Sequence, residues 1–187
     1  MKIILASNSP RRKGLLAGLD MEFDVRVVNG IDESYPDGLS MRQIPEYISR
    51  KKAEAYVLAD DELLITADTI VWIDGEVLGK PVDESDACRM LRKLSGKTHQ
   101  VITGVTLRNR SDVRTFSCVT NVTFASLDDA QIDYYVRKYK PLDKAGAYGI
   151  QEWIGYVGVT GLEGSYYNVM GLPVQRLSEE LRHFLNK

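Results

Sequence analysis

Ile3-Ile4-Leu5-Ala6-Ser7-Asn8-Ser9-Pro10-Arg11-Arg12-Lys13 reads as a short apolar strand, a polar turn and the opening of a helix. Ser9 is a natural N-cap, and Pro10 fits the first helical position, where its missing N–H costs nothing. Leu15, Leu16 and Leu19 supply the apolar face of that helix. The three residues after Pro10 are all cationic, on a helix end that free backbone N–H groups already make positive. Each such charge costs about 0.3–1 kcal/mol at an exposed site unless an anion answers it. Strand, turn, capped helix and arginines together make a phosphate cradle. A solvated basic turn is the alternative at this point.

Working outward, 187 residues make one domain, 1–187, or two closely fused lobes, long enough to bury a core. A formal charge of −2 gives no global attraction to nucleic acid or to an anionic membrane, so any anion site must be local. The longest apolar run, Leu63 to Ile73, is too short to span a bilayer and carries Asp68 in its middle. No secretory leader is legible in the first residues, and Cys88 and Cys118 lack metal-ligand spacing, so reduced thiols and a cytoplasmic protein are expected. His99 and His183 are too few for a histidine-rich metal site.

Phe23, Val25 and Val27 alternate with charged residues as in a half-buried strand, which leads to a turn presenting Asp32 and Glu33. A helix is predicted from about Pro45 to Ala59, with Ile48, Lys52, Tyr56 and Ala59 on one face. Lys52 therefore sits on an apolar stripe, either snorkelling or pointing to an anion. Asp68 interrupts a buried strand, where a carboxylate needs a cation, donors or the open end of a sheet. Asp74-Gly75 signals a tight hairpin that folds Lys80 back toward the level of Asp68.

A helix capped by Asp83 or Ser85 follows, with Ala87, Met90, Leu91 and Leu94 inward. Two strands, Gln100–Leu107 and Val113–Phe124, come next. Ser126 with Asp129 opens another helix, with Ile132, Tyr135, Val136 and Tyr139 on its face and Pro141 ending it. The stretch from Asp143 to Glu152 has no periodicity, Trp153 to Val159 reads as strand, and Pro173 starts a final helix with Val174, Leu177, Leu181 and Leu185 inward. Alternating helices and strands with hairpins predict an α/β fold on a mixed central sheet flanked by helices.

The out-of-place residues share one chemistry. Arg11, Arg12, Lys52 and Lys80 are cations at a helix start, an apolar face and a strand turn, and Glu33 and Asp68 are hard oxygen ligands suited to Mg²⁺ or Mn²⁺. A nucleoside triphosphate, with roughly four negative charges, asks for such an inventory.

The sequence resembles the Maf family of nucleoside triphosphate pyrophosphatases, the septum-formation-inhibitor-like proteins. Ser7-Asn8-Ser9-Pro10-Arg11-Arg12 matches its opening SxSPRR, Ala67-Asp68-Thr69 its ADT and Gly79-Lys80-Pro81 its GKP. Leu94 to His99 matches LSGxxH, Asp143 to Gln151 matches DKAGAYGIQ, and Gly164-Ser165-Tyr166 with Val169 to Pro173 matches the closing GxY…VxGLP. The motifs come in order along nearly the whole chain. The resemblance implies a two-lobed fold with a cleft, shared with the inosine triphosphate pyrophosphatase type, and metal-dependent hydrolysis of a nucleoside triphosphate to monophosphate and pyrophosphate. It places Asp68 as general base, Arg11, Thr69 and Gln151 as substrate-selecting residues, and Ser7, Arg12, Glu33, Lys52 and Lys80 as further binding residues, with Glu33 and Asp68 toward the metal. Arginine, threonine and glutamine there resemble the branch acting on dTTP and UTP, including modified pyrimidine triphosphates. Thr66 and Glu152-Trp153 depart from the family pattern at positions where glycine is common.

Other readings stay open on sequence alone. The same cations suit a nucleotide-binding regulator of cell division with little turnover, or a pyrophosphatase for another nucleotide such as 7-methyl-GTP. Tyr134, Tyr135 and Tyr139 leave a homodimer interface open, while helix core is the plainer reading for Tyr135 and Tyr139.

Overall fold

In the computed structural model, which describes residues 1–185, the chain opens as its first residues predict. Strand β1 (Lys2–Leu5) runs through a turn into α1 (Pro10–Ala17), whose cap Ser9 accepts from Arg12 N. Then come β2 (Phe23–Val25), α2 (Gln43–Glu54), β3 (Glu62–Ile73), β4 (Glu76–Leu78), α3 (Glu84–Leu94), β5 (Thr98–Arg108) and β6 (Val113–Phe124). They are followed by α4 (Asp129–Tyr139), a short 3-10 turn (Ala145–Ala147), α5 (Trp153–Gly158), β7 (Val159–Glu163), α6 (Tyr166–Met170) and α7 (Val174–Leu185).

The strands form one mixed sheet in the order β2-β1-β3-β5-β6-β7, with β4 paired to β3. β1 runs parallel to β2 and β3, and the β3–β4 and β6–β7 pairs are antiparallel. The β3–β4 hairpin turns on Asp74 and Gly75, both at positive φ, the conformation that matches the right-handed twist of the flanking strands. Its pairing ends at Val71↔Leu78, short of Lys80.

The described residues group into two compact units, 1–69 with 103–118 and 171–185, and 70–102 with 119–170. In the first, Ile4, Ala53, Tyr56, Leu58 and Leu64 form a buried cluster against which Ala6 and Ile31 pack. In the second, α3 supplies Ala87, Met90, Leu91 and Leu94, and α4 supplies Ile132, Tyr135 and Val136, to a core completed by Phe124, Tyr148 and Ile154. His99 is buried there, edge-on to Phe124 and Tyr148, with Nε2 2.7 Å from the Tyr148 hydroxyl. Burial pushes its pKa down to about 4, so at neutral pH it is an uncharged core residue.

Four local expectations are corrected. Helix α2 stops at Glu54, well before Ala59, because Arg108 from β5 donates to the carbonyls of Ala53 (2.6 Å) and Tyr56 (3.0 Å) and ends the helix there. The cap of α4 is Asp128, in a capping box with Gln131, and not Ser126. Residues 153–158 are helix and not strand, since Gly155 lets the Ile150 carbonyl approach to where a Cβ would sit 1.7 Å away. At the end of α7, Phe184 is buried and Leu185 is exposed.

Gly104 on β5 packs against the start of α2, where a Cβ would meet the Pro45 carbonyl carbon at 2.3 Å and Glu46 N at 2.5 Å. Both are backbone atoms, so neither can swing aside. Gly104→Ala is expected to cost roughly 1–3 kcal/mol of stability, the range for overpacking a tight contact. Urea denaturation tests this, and an unchanged midpoint would show that α2 can retreat.

Candidate active site

The first unit builds the cluster. β1 delivers Ser7, which is buried and accepts from Ser9 N at 3.2 Å, so the turn before α1 is held by its own hydroxyls. From α1, Arg12 turns inward: Nε donates to the Gly171 carbonyl at 2.8 Å and Nη2 to Thr69 Oγ1 at 3.0 Å. Thr69 Oγ1 lies in turn 2.9 Å from the hydroxyl of Thr103, which is fully buried. Gly171 sits at φ +113°, and a Cβ there would stand 3.6 Å from both Arg12 Nε and Thr69 Oγ1. Only glycine takes that backbone conformation readily, so the carbonyl that aims Arg12 depends on it.

Asp68 lies in β3 among buried residues, and what makes it tolerable there is Lys52 on α2. Lys52 Nζ is 2.8 Å from Asp68 Oδ1 and 3.1 Å from Glu33 Oε1, so one ammonium joins both carboxylates. The preceding residue repeats the device, with Lys51 Nζ 2.7 Å from Asp32 Oδ2. The Lys51 ammonium, with Ser34, holds the Asp32 carboxyl below the usual carboxylate range. Two successive lysines of α2 therefore clip the loop carrying Asp32 and Glu33. Tyr56 anchors the same loop from behind, its hydroxyl donating to Arg26 O and accepting from Val28 N.

Burial draws the Arg12 guanidinium below the ordinary arginine pKa, and Arg11 adds to that while Asp68 and Glu33 oppose it. Arg12 therefore feels Arg11, Asp68 and Glu33 together, which makes these residues one electrostatic site. It holds Arg11, Arg12 and Lys52 against Glu33 and Asp68, beside a helix N-terminus that adds positive charge. This is chemistry for a polyanion. Lys52 accordingly serves carboxylates as well as any anion, which its place on an apolar stripe did not reveal.

Lys80 and Gln151 belong to the second unit. Lys80 is exposed after β4 and makes no ion pair among the described residues. Gln151 is half-exposed, following the buried run Gly146 to Ile150. Thr103 and Gly171 were not among the expected site residues. Gly171 stood in a glycine-flanked motif without a role, and Thr103 gave no signal, being one of several threonines alternating along an apolar strand.

No cluster of three or more His, Cys, Asp or Glu suited to a metal occurs among the described residues. Glu33 and Asp68 nonetheless converge on one cation, Lys52, and two carboxylates completed by phosphate oxygens and water are the usual Mg²⁺ donor set. The donors fit a divalent ion of that kind. No helix among the described residues is long and apolar enough to cross a membrane.

Residues 2–184 match the family profile described as Maf-like protein. A Phocaeicola vulgatus protein named dTTP/UTP pyrophosphatase is 64% identical over 183 residues, covering 97% of this chain and 95% of that one. A Parabacteroides distasonis protein of the same name is 60% identical over 185 residues, covering 98% and 96%. Among solved structures, the Staphylococcus aureus Ham1 protein matches over 98% of this chain and 99% of its own, with a TM-score of 0.55 at 17% identity. A HAM1 protein from Coxiella burnetii gives 0.52 at 14% identity over the same shares. At those identities the two structures speak for the fold.

Proposed function

We propose that this chain, which belongs to the Maf-like protein family, is a nucleoside triphosphate pyrophosphatase that converts dTTP and UTP to the monophosphate and pyrophosphate. The observation that carries the chemistry is the junction of Lys52 with Asp68 and Glu33, next to Arg12 and the capped start of α1. The names of the relatives support the substrate.

In this reading water attacks the α-phosphorus, its oxygen forms the new P–O bond and pyrophosphate leaves. Asp68 Oδ1 is given to Lys52, and Oδ2 takes the proton of the attacking water. Arg12, with its planar fork fixed at two points, and Arg11 neutralise the triphosphate, while Ser7 and the free N–H groups of α1 offer donors to phosphate oxygens. Preorganised donors of this kind supply most of the rate, because they need no rearrangement as charge shifts toward the leaving group. Glu33, rather than Asp68, whose two oxygens go to Lys52 and to the attacking water, would be the direct holder of a divalent ion, Mg²⁺ or Mn²⁺, which would supply Lewis-acid neutralisation. For Lys80 and Gln151, which belong to the second unit, the roles in substrate binding and substrate choice rest on the family resemblance. The half-buried thiols of Cys88 and Cys118, both unpaired, suit a cytoplasmic protein, where such an enzyme removes unwanted pyrimidine triphosphates from the nucleotide pool.

The test is purified protein with Mg²⁺ or Mn²⁺ against a panel of nucleotides. Pyrophosphate release from dTTP and UTP above all others is expected. Tight binding without release would make the protein a nucleotide-responsive regulator, and preference for 7-methyl-GTP would move it to the sister activity.

A further inference from the structure

Thr66 stands two residues before Asp68 on β3, and no role above uses it. Its side chain is fully buried, and Oγ1 donates to the Ser49 carbonyl of α2 at 2.6 Å. Ser49 is fully buried as well, and its own hydroxyl donates to the Glu46 carbonyl at 2.9 Å. Having given its proton there, Ser49 Oγ accepts from Thr106 Oγ1 at 3.0 Å, which in turn accepts from Thr115 Oγ1 at 2.9 Å. Hydroxyls of β3, β5 and β6 thus converge on the middle of α2. To either side, α2 meets Gly104 through Pro45 and Arg108 through Ala53. Pro45, Ser49 and Ala53 recur every fourth residue, so one face of the helix is seated on the sheet along its length. Satisfied buried polar groups of this kind hold their elements rigidly.

The tie lies one step from the ammonium–carboxylate junction on both elements. Thr66 and Asp68 are two apart on β3 and share a face of the strand. Ser49 and Lys52 are three apart on α2 and are neighbours on the helix surface. Thr66–Ser49 at 2.6 Å and Lys52–Asp68 at 2.8 Å are therefore successive rungs between the same strand and the same helix. All four residues lie in the first unit. A lysine ammonium rides on a flexible stem. Here it has two acceptors, Asp68 in the sheet and Glu33 on an exposed stretch of loop. What keeps it on Asp68 is the level at which α2 is held, and a slide of α2 along β3 breaks the Thr66 bond.

We propose that Thr66 is a positioning residue, whose hydroxyl fixes the setting of α2 on β3 so that Lys52 stays on Asp68 Oδ1 and leaves Oδ2 to the attacking water. A neutral hydroxyl–carbonyl rung suits that task. A polyanionic substrate pulls directly on the Lys52 ammonium, whereas the Thr66 bond carries no net charge to be pulled. The stakes are high, because a misplacement of about 1 Å can lower a rate on the order of 10²-fold. A glycine, common at this position in the family pattern, brings no hydroxyl, so the tie is this chain's own. The inference rests on the assignment of Asp68 as base and adds what holds that base in register.

The experiment measures dTTP turnover with Mg²⁺ in the whole chain carrying Thr66→Val, Thr66→Ser, Asp68→Asn, or Thr66→Val together with Asp68→Asn. Valine keeps the shape of threonine without the hydroxyl, and kcat is expected to fall about tenfold with KM moving by less than about threefold. Thr66→Ser retains the donor and is expected to keep more than about half of the wild-type kcat. In the Asp68→Asn background the base is already gone, so Thr66→Val is expected to change kcat by less than about twofold. A merely structural role would lower turnover by one factor in both backgrounds, since it would reduce the folded fraction whichever residue stands at 68. An unchanged kcat in Thr66→Val, or an equal fall in both backgrounds, overturns the proposal. If Thr66→Val does not fold, Thr66→Ala takes its place in the same cycle and is read in the same way. Turnover near that of the wild type in Asp68→Asn would instead sink the reading of Asp68 as base, so the two failures are distinct.

Discussion

Asp68→Asn is expected to slow pyrophosphate release from dTTP by at least ~100-fold, with KM moving by no more than about threefold, as for loss of a general base. The amide matches the carboxylate in shape but cannot take a proton from water. Lys52 keeps Glu33 as a partner in the variant, so the ammonium is not stranded and substrate binding persists. The loss corresponds to roughly 2.7 kcal/mol or more of barrier. Steady-state turnover and nucleotide binding, measured on the same preparation, separate the two effects. Turnover near that of the wild type would remove Asp68 from the mechanism.

Arg12→Ala carries the second large effect, a fall on the order of 10²–10³ in kcat/KM, comparable to deleting a preorganised donor from a charged transition state. Arg12 is tied to Gly171 O and Thr69 Oγ1, so its removal releases the threonine as well as a charge. Arg12→Lys is expected to recover less than a tenth of the loss, because a lysine brings one point charge and no planar fork. If Arg12→Lys were fully active, the role of the residue would reduce to its charge and the two-point clamp would be irrelevant to turnover.

What could be read along the chain was whatever short-range signals decide. The Ser9 cap, Pro10 and the Asp74-Gly75 turn are local choices, and the structure keeps them. Asp68 and Lys52 stood out because each broke an apolar pattern, and each is the other's partner. The rest depended on distant residues. The end of α2 is fixed by Arg108, far along the chain, which overrode a helical pattern extending through Tyr56 and Ala59. The helix at 153–158 rests on a backbone approach at Gly155 that no hydropathy pattern encodes. Thr103 joins the site only because β5 lies beside β3, and alternation along β5 does not distinguish it from Thr106.

The bond from Arg12 to the Gly171 carbonyl joins positions 159 residues apart. During synthesis the guanidinium is made 159 residues before its carbonyl and has no such partner until position 171 has been added. Closing so long a loop is entropically costly and comes late in the order of events. A chain interrupted before position 171 is accordingly expected to lack the carbonyl that, with Thr69, fixes the Arg12 fork at two points.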